Sequence, residues 1–249
     1  MRHLYSLLFI LLAGVLCSFS CTINLNLKRV QGDGNIISQE IPISDYNQLG
    51  IKAQNIKLVY TQSNEAPYLK IETDQNIMNV LEVKIDDEDK ELIIRPKDKR
   101  TQITPTKFII TTNSTALKEF QVSGSGNCNL GKGLTGDKLE IESAGGCIIQ
   151  ADSITVNRLN YESAGSGKIN LSGTANHVEI ESAGACTVKA FGLQTNIFDC
   201  EIAGSGNIEI TVNKEISAQV TGSGTILYKG NAQQIKKQVV GSGKISKVE

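Results

Sequence analysis

Tryptophan is missing from this chain of 249 residues, and neither sign of charge prevails: 25 Lys and Arg stand against 26 Asp and Glu, for a net charge of -1. A nucleic-acid-binding face needs clustered basic residues, whereas these lysines are scattered among as many acids, so nucleic acid is excluded as a partner. The six cysteines show no CxxC or Cys–His spacing, which excludes the common zinc sites. Beyond His3 the only histidine is His177, in the turn after Gly173-Thr174-Ala175-Asn176, so a serine or cysteine nucleophile would have almost no choice of base. No segment reads as a long helix; Asp74 to Leu81 has room for a turn of one.

The apolar run from Leu4 to Leu16 is too short to span a bilayer. Preceded by Met1-Arg2-His3 and followed by Cys17-Ser18-Phe19-Ser20-Cys21, it reads as an export signal over residues 1–20. The exit resembles a bacterial lipoprotein signal, in which a cysteine after a small residue is acylated and becomes the first residue of the mature chain. Cys21 after Ser20 fits that position, and acyl chains there would tether the protein to a membrane leaflet without a spanning helix. The expected address is the cell envelope, as an outer-membrane lipoprotein on the surface or the periplasmic face.

What the chain has in abundance is a small-residue knot, met as SGSGN, SAGGC, SAGSG, SAGAC, AGSGN, TGSGT and VGSGK. Registered on one glycine, the knots fall at Gly124, Gly145, Gly165, Gly184, Gly204, Gly222 and Gly241, in steps of 21, 20, 19, 20, 18 and 19 residues. A period near twenty with β-type composition predicts a solenoid whose rungs stack along one axis. Apolar residues alternate on both sides of each glycine, as in Leu159 and Tyr161 before Gly165 and Ile169 and Leu171 after it. That pattern gives two half-buried strands per rung with the glycine-rich segment as the bend. The expected class is all-β, a parallel β-helix with about 20 residues per rung over residues 121–249. A β-rich region over 21–120 precedes it, with a hairpin around the turn Asp86 to Lys90.

The rung also decides the cysteines. Cys147 and Cys186 share a column but lie two strand spacings apart, roughly 9 to 10 Å between Cα atoms, beyond the reach of a disulfide. Cys128 and Cys200 occupy columns filled elsewhere by Ile, Val or Tyr. All four read as buried small hydrophobes.

The Gly32-Asp33-Gly34-Asn35 start, the Ile43-Ser44-Asp45-Tyr46 segment and the recurrent SAGSG or GSGN knots resemble the auto-transporter adhesin, head GIN domain family of Bacteroidota envelope proteins. The resemblance covers roughly residues 30 to 245. It implies a β-helical fold and, by the family's name, adhesion; it maps no catalytic or binding residue onto this chain.

The most specific surface feature is a column of Glu142, Glu162, Glu181 and Glu201, three residues before successive glycines, bracketed by Gln121, Gln219 and Gln238. Glu140, Glu179 and Asp199 lie two residues earlier, on the same outward face by strand parity. Unit charges stacked ~4.8 Å apart repel by about 1 kcal/mol per neighbour in water. A Ca2+ ion, a cationic or sugar ligand, or lysines such as Lys168 and Lys189 flanking a solvated ladder would offset that repulsion. No other cofactor is implied. Serines 143, 163 and 182 stack facing inward, as a structural ladder. Asp152-Ser153-Ile154 matches the Bacteroidota O-glycosylation acceptor pattern at Ser153, or is an ordinary turn.

The carboxylates repeat instead of converging on one point, so the reading is not an enzyme. Two roles stand: an envelope-anchored adhesin or binding module that meets a glycan or protein through its solenoid faces, or a periplasm-facing scaffolding lipoprotein. A carbohydrate-active enzyme ranks below both. The last rung, Val240 to Val248, shows no cap, which suggests a homo-oligomer paired at strand edges.

Overall fold

Alternating apolar and polar residues produce strands that bury one side and wet the other, and a glycine between two such strands lets the chain turn. The computed structural model describes residues 28–249; the export signal and Cys21 lie outside the described residues. Of the described residues 75% are strand and 3% helix, in a β-solenoid of about six turns with about 20 residues per rung.

The N-terminal part comprises β1 (Lys28–Gln31), β2 (Ile36–Glu40), β3 (Gln48–Gln62), β4 (Tyr68–Asp74), the helix α1 (Gln75–Val80), β5 (Leu81–Asp86), β6 (Glu91–Pro96), β7 (Thr101–Thr104) and β8 (Phe108–Ser114). The repetitive part runs through β9 (Glu119–Lys132), β10 (Thr135–Gly165), β11 (Lys168–Gly184), β12 (Thr187–Gly204) and β13 (Asn207–Gly222). It finishes with β14 (Thr225–Lys229), β15 (Gln234–Gly241) and β16 (Lys244–Lys247). From β3 through β9 to β13 each strand pairs in parallel with the next, and β13 then pairs with both β14 and β15.

Columns hold the stack together. Ile169, Val188, Ile208 and Ile226 lie opposite one another in successive rungs, and each is buried. Burying a side chain of that size is worth about 1.5–3 kcal/mol, and it is available only because the neighbouring rung covers it. Cys128, Cys147, Cys186 and Cys200 are buried free thiols within this core. Ser143, Ser163 and Ser182 are buried as well, and the Ser182 hydroxyl donates to Cys186 Sγ at 2.9 Å.

At the bend the backbones come closest. Gly184 sits opposite Gly165 with φ +125°, and a Cβ there would stand 2.4 Å from the Gly165 carbonyl oxygen. That same oxygen accepts the N–H of Ala185 at 2.8 Å, so the hydrogen bond that joins the rungs leaves no room for a side chain. The recurring glycine is thus a requirement of rung-to-rung approach as well as of backbone angle.

The parallel stack reaches back to β3, where Leu49 lies opposite Phe120, Ile51 opposite Val122 and Ala53 opposite Gly124. Beyond Ala53 the register shifts, with Asn55 in the left-handed region at φ +57°, before Ile56 meets Gly126. On its other side β3 pairs in parallel with β6 and β8. Antiparallel strands then close this end: β5 on β6, β4 on β8, and β2 on β4. The β5–β6 hairpin turns at the acidic cluster expected from the sequence.

Two carboxylates, a buried one at Asp74 and a half-buried one at Asp45, fasten the N-terminal segment. Asp74 accepts the Gly34 N–H at 2.7 Å, the Thr106 N–H at 2.9 Å and the Thr106 hydroxyl at 2.6 Å. Asp45, which is more exposed, accepts the Thr115 N–H at 3.0 Å and its hydroxyl at 2.5 Å. The Gly32–Asn35 motif therefore wraps a carboxylate and forms no rung, although it echoes Val122–Asn127 in sequence.

Candidate functional site

Residues one and three before each registering glycine share the outward face, because side chains alternate along a strand. Parallel in-register pairing converts each position into a ladder running along the solenoid axis. Glu162 lies opposite Glu181, and Glu181 opposite Glu201; Glu142 lies opposite Gln121, and Glu201 opposite Gln219. Beside this ladder runs a second one of small residues, with Ala164 opposite Ala183 and Ala183 opposite Ala203.

Together these ladders line a groove of about 510 Å³ on the outer face. Its far end is built by β3 and β6. Gly50 occupies the carboxylate column opposite Gln121, with Ile93 beyond it, and Lys52 and Arg95 lie in the groove wall there. Arg95 is held by Glu82 across the hairpin at 2.8 Å. The groove therefore runs from an end of mixed charge, where Lys52 and Arg95 lie with Glu91, to a carboxylate-lined middle.

Burial pushes the carboxyls of Glu142 and Glu162 above the ordinary glutamate range, and neighbouring carboxylates add to the effect. For Glu142 these are Glu119 and Glu140, and for Glu162 chiefly Glu142 and Glu181. Glu91, at the β6 end, is raised by burial and by Glu119 in the same way. The ladder is thus a strip of negative potential over a floor of methyl groups.

Of the seven acidic residues singled out by the sequence, Glu142, Glu162, Glu181 and Glu201 line the groove. Glu140, Glu179 and Asp199 form the adjoining column outside its lining, where Glu179 lies opposite Asp199. Two of them are engaged locally: Glu140 with Lys138, and Asp199 with His177 Nε2 at 2.6 Å. Lys189 lies across the bend from the ladder, opposite Glu209. Among the described residues, no group of three or more His, Cys, Asp or Glu side chains is placed to hold a metal ion. One carboxylate per rung gives a line of charges, in place of the converging oxygens that Ca2+ takes. Ser153 is exposed at a break in register between β10 and β11, with φ +54°, and its N–H donates to Ser172 Oγ at 3.0 Å.

The alanine floor and the contribution of Gly50, Lys52, Ile93 and Arg95 did not emerge from sequence reasoning. The alanines were visible in the SAG knots, and parity alone would have set them beside the glutamates. The β3 and β6 residues carry no glycine knot that would mark them as part of the same face.

Residues 45–232 match the family described as "Putative auto-transporter adhesin, head GIN domain". The chain belongs to this family. Solved structures of similar proteins agree. A "putative adhesin" from Bacteroides fragilis is 27% identical with a TM-score of 0.78, covering 88% of this chain and 100% of that one. A "putative lipid binding protein" from Parabacteroides distasonis is 31% identical with a TM-score of 0.70, covering 89% and 100%. A "putative adhesin" from Parabacteroides merdae is 29% identical with a TM-score of 0.67, covering 89% and 100%. No curated protein matches the chain. Family and neighbours support a non-enzymatic, adhesin-like role and an exported or envelope address. Among the described residues no helix is long and apolar enough to cross a membrane.

Proposed function

We propose that this head GIN domain protein is an envelope-anchored binding module that presents the outer groove to a glycan or protein, with acylated Cys21 as its tether. The observation that carries this reading is the groove itself: a continuous recess along several rungs, with a carboxylate ladder over an apolar floor. Such a surface suits an elongated ligand that offers hydroxyl or amino groups at intervals along its length, each meeting a carboxylate in turn. Catalysis would need a convergent acid and base, and the inward serines have no histidine among their hydrogen-bond partners, since His177 is paired with Asp199.

A glycan and matrix-protein array probed with the mature chain, beside the Glu162→Ala/Glu181→Ala variant, tests the reading. Binding by the native chain that the variant loses supports it; equal binding by both, or release of reducing ends from a polysaccharide panel, overturns it. Protease shaving of intact cells, with a Cys21→Ala control, decides which face of the outer membrane the module occupies. Protection until the outer membrane is opened would redirect the search to periplasmic partners.

A further inference from the structure

The inward columns are apolar or small through the middle rungs, and two of them end in lysine. On one strand of the rung, Ile180, Cys200 and Ala218 are followed by Lys237 of β15. On the other, Ala190, Ile210 and Tyr228 are followed by Lys247 of β16. Each strand of the last rung therefore carries one ammonium group in a position that every earlier rung gives to the core.

The two ends of the solenoid differ in how they are closed. At the N-terminal end, antiparallel strands cover the stack. At the C-terminal end, among the described residues, no strand pairs with the outer edge of β15 or β16. Ile235 and Val239 there are 46% and 41% exposed, although the residues opposite them in the preceding rung, Ile216 and Val220, are buried. An edge of unpaired N–H and C=O groups flanked by apolar columns is a template for another strand.

Lys237 stands across that template. Its ammonium donates to the Tyr228 hydroxyl at 2.9 Å and lies 4.5 Å from the Tyr228 ring centroid. The aliphatic stem thus bridges the open end of the core from one strand to the facing one, while the charge stays wet. A further rung laid on this end would strip water from both ammonium groups. If that rung came from the same end of a second copy, like charges would be brought together as well.

We propose that Lys237 and Lys247 are paired edge guards that keep the rung of β15 and β16 from pairing with that of a second copy, against the edge-paired homo-oligomer that the uncapped rung suggested in the sequence. Apolar residues of similar length at these positions would continue the columns and complete a docking edge.

Sedimentation velocity of the chain from Thr22 to Glu249 tests this. The Lys237→Ile/Lys247→Ile variant is expected to self-associate about a hundredfold more tightly than the native chain, the scale set by desolvating buried ammonium groups. Adding Val239→Lys, a new charge in a third inward column, is expected to abolish that gain. Should the double variant fail to fold by circular dichroism, Lys237→Met, which keeps the stem over Tyr228, is judged by the same criteria. Unchanged association of the neutral variants overturns the proposal. So does a gain that Val239→Lys leaves intact, or edge pairing of the native chain that Val239→Lys removes.

Discussion

Glu162 and Glu181 stand directly opposite each other in parallel register, one rung apart, on the solenoid's outer face. Like charges in that relation oppose the fold, and burial and neighbouring carboxylates raise the Glu162 carboxyl above its usual range. A folded-state pKa above the unfolded one means that the contribution to stability is full below the unfolded value and is lost as pH rises through the folded value. Glu162→Gln is therefore expected to stabilise the protein at neutral pH, by on the order of 0.5 kcal/mol after solvent screening. The gain should shrink toward pH ~4, the ordinary glutamate value, and in high salt. Thermal melts across pH and salt check this; a gain that grows at low pH contradicts it.

Asp74 has the opposite sign. Burial alone would raise its carboxyl, but hydrogen bonds from Thr106 and Gly34 outweigh that and hold it below the usual range. Its contribution is present above the unfolded value and is lost as pH falls through the folded one. Asp74→Ala should cost about 2–3 kcal/mol, because it strands the amides of Gly34 and Thr106. A Cβ at Gly32 would lie 2.4 Å from the Asp74 carboxylate carbon, so Gly32→Ala is expected to be damaging alone and much less so in the Asp74→Ala background. Denaturant melts of the four-member cycle measure this coupling, and strict additivity would refute it.

Gly184→Ala and Gly133→Ala compare a glycine pressed against the neighbouring rung with one in open space. Both glycines have positive φ, +125° and +82°, but a Cβ at Gly133 meets nothing within 4 Å. Gly133→Ala is expected to cost about 1 kcal/mol from the left-handed conformation alone. Gly184→Ala should cost about 3 kcal/mol or more, since the carbonyl it strikes belongs to the neighbouring rung's backbone. Similar melting temperatures for the two variants would show that close approach is not what the glycine serves.

Cys128, Cys147, Cys186 and Cys200 are free and buried, and burial raises the Cys200 thiol far above its ordinary value. A thiol reagent is expected to label none of the four quickly in the native chain and all of them in denaturant. Mass spectrometry of the chain from Thr22 counts the labels; rapid native labelling would contradict the buried assignment.

Much of the solenoid was legible because each rung repeats one pattern. The columns Ile169 to Ile226 and Glu162 to Glu201 could be aligned by counting from a glycine, and the inward serines and unpaired cysteines followed from parity. The stacking of β3 was hidden because its rung has Ala53 where the others have glycine, and because extra residues around Asn55 shift the count. The contribution of β6 was hidden for a different reason: its residues alternate like those of any hairpin, and only pairing with β3 places Ile93 and Arg95 on the carboxylate face. Lys237 and Lys247 were countable in the same columns, but their meaning depends on the absence of a further strand among the described residues.

Because Gly165, Gly184 and Gly204 are in mutual register, the groove has a unit of length. Excising residues 166–184 would join Gly165 to Ala185, keep every column continuous, and shorten the carboxylate ladder by one step of ~4.8 Å. A duplication of the same segment would lengthen it by one. The reach of this surface therefore changes only in whole increments, like a ruler cut at its graduations, and a ligand whose repeat matches the increment would keep its register however many are added.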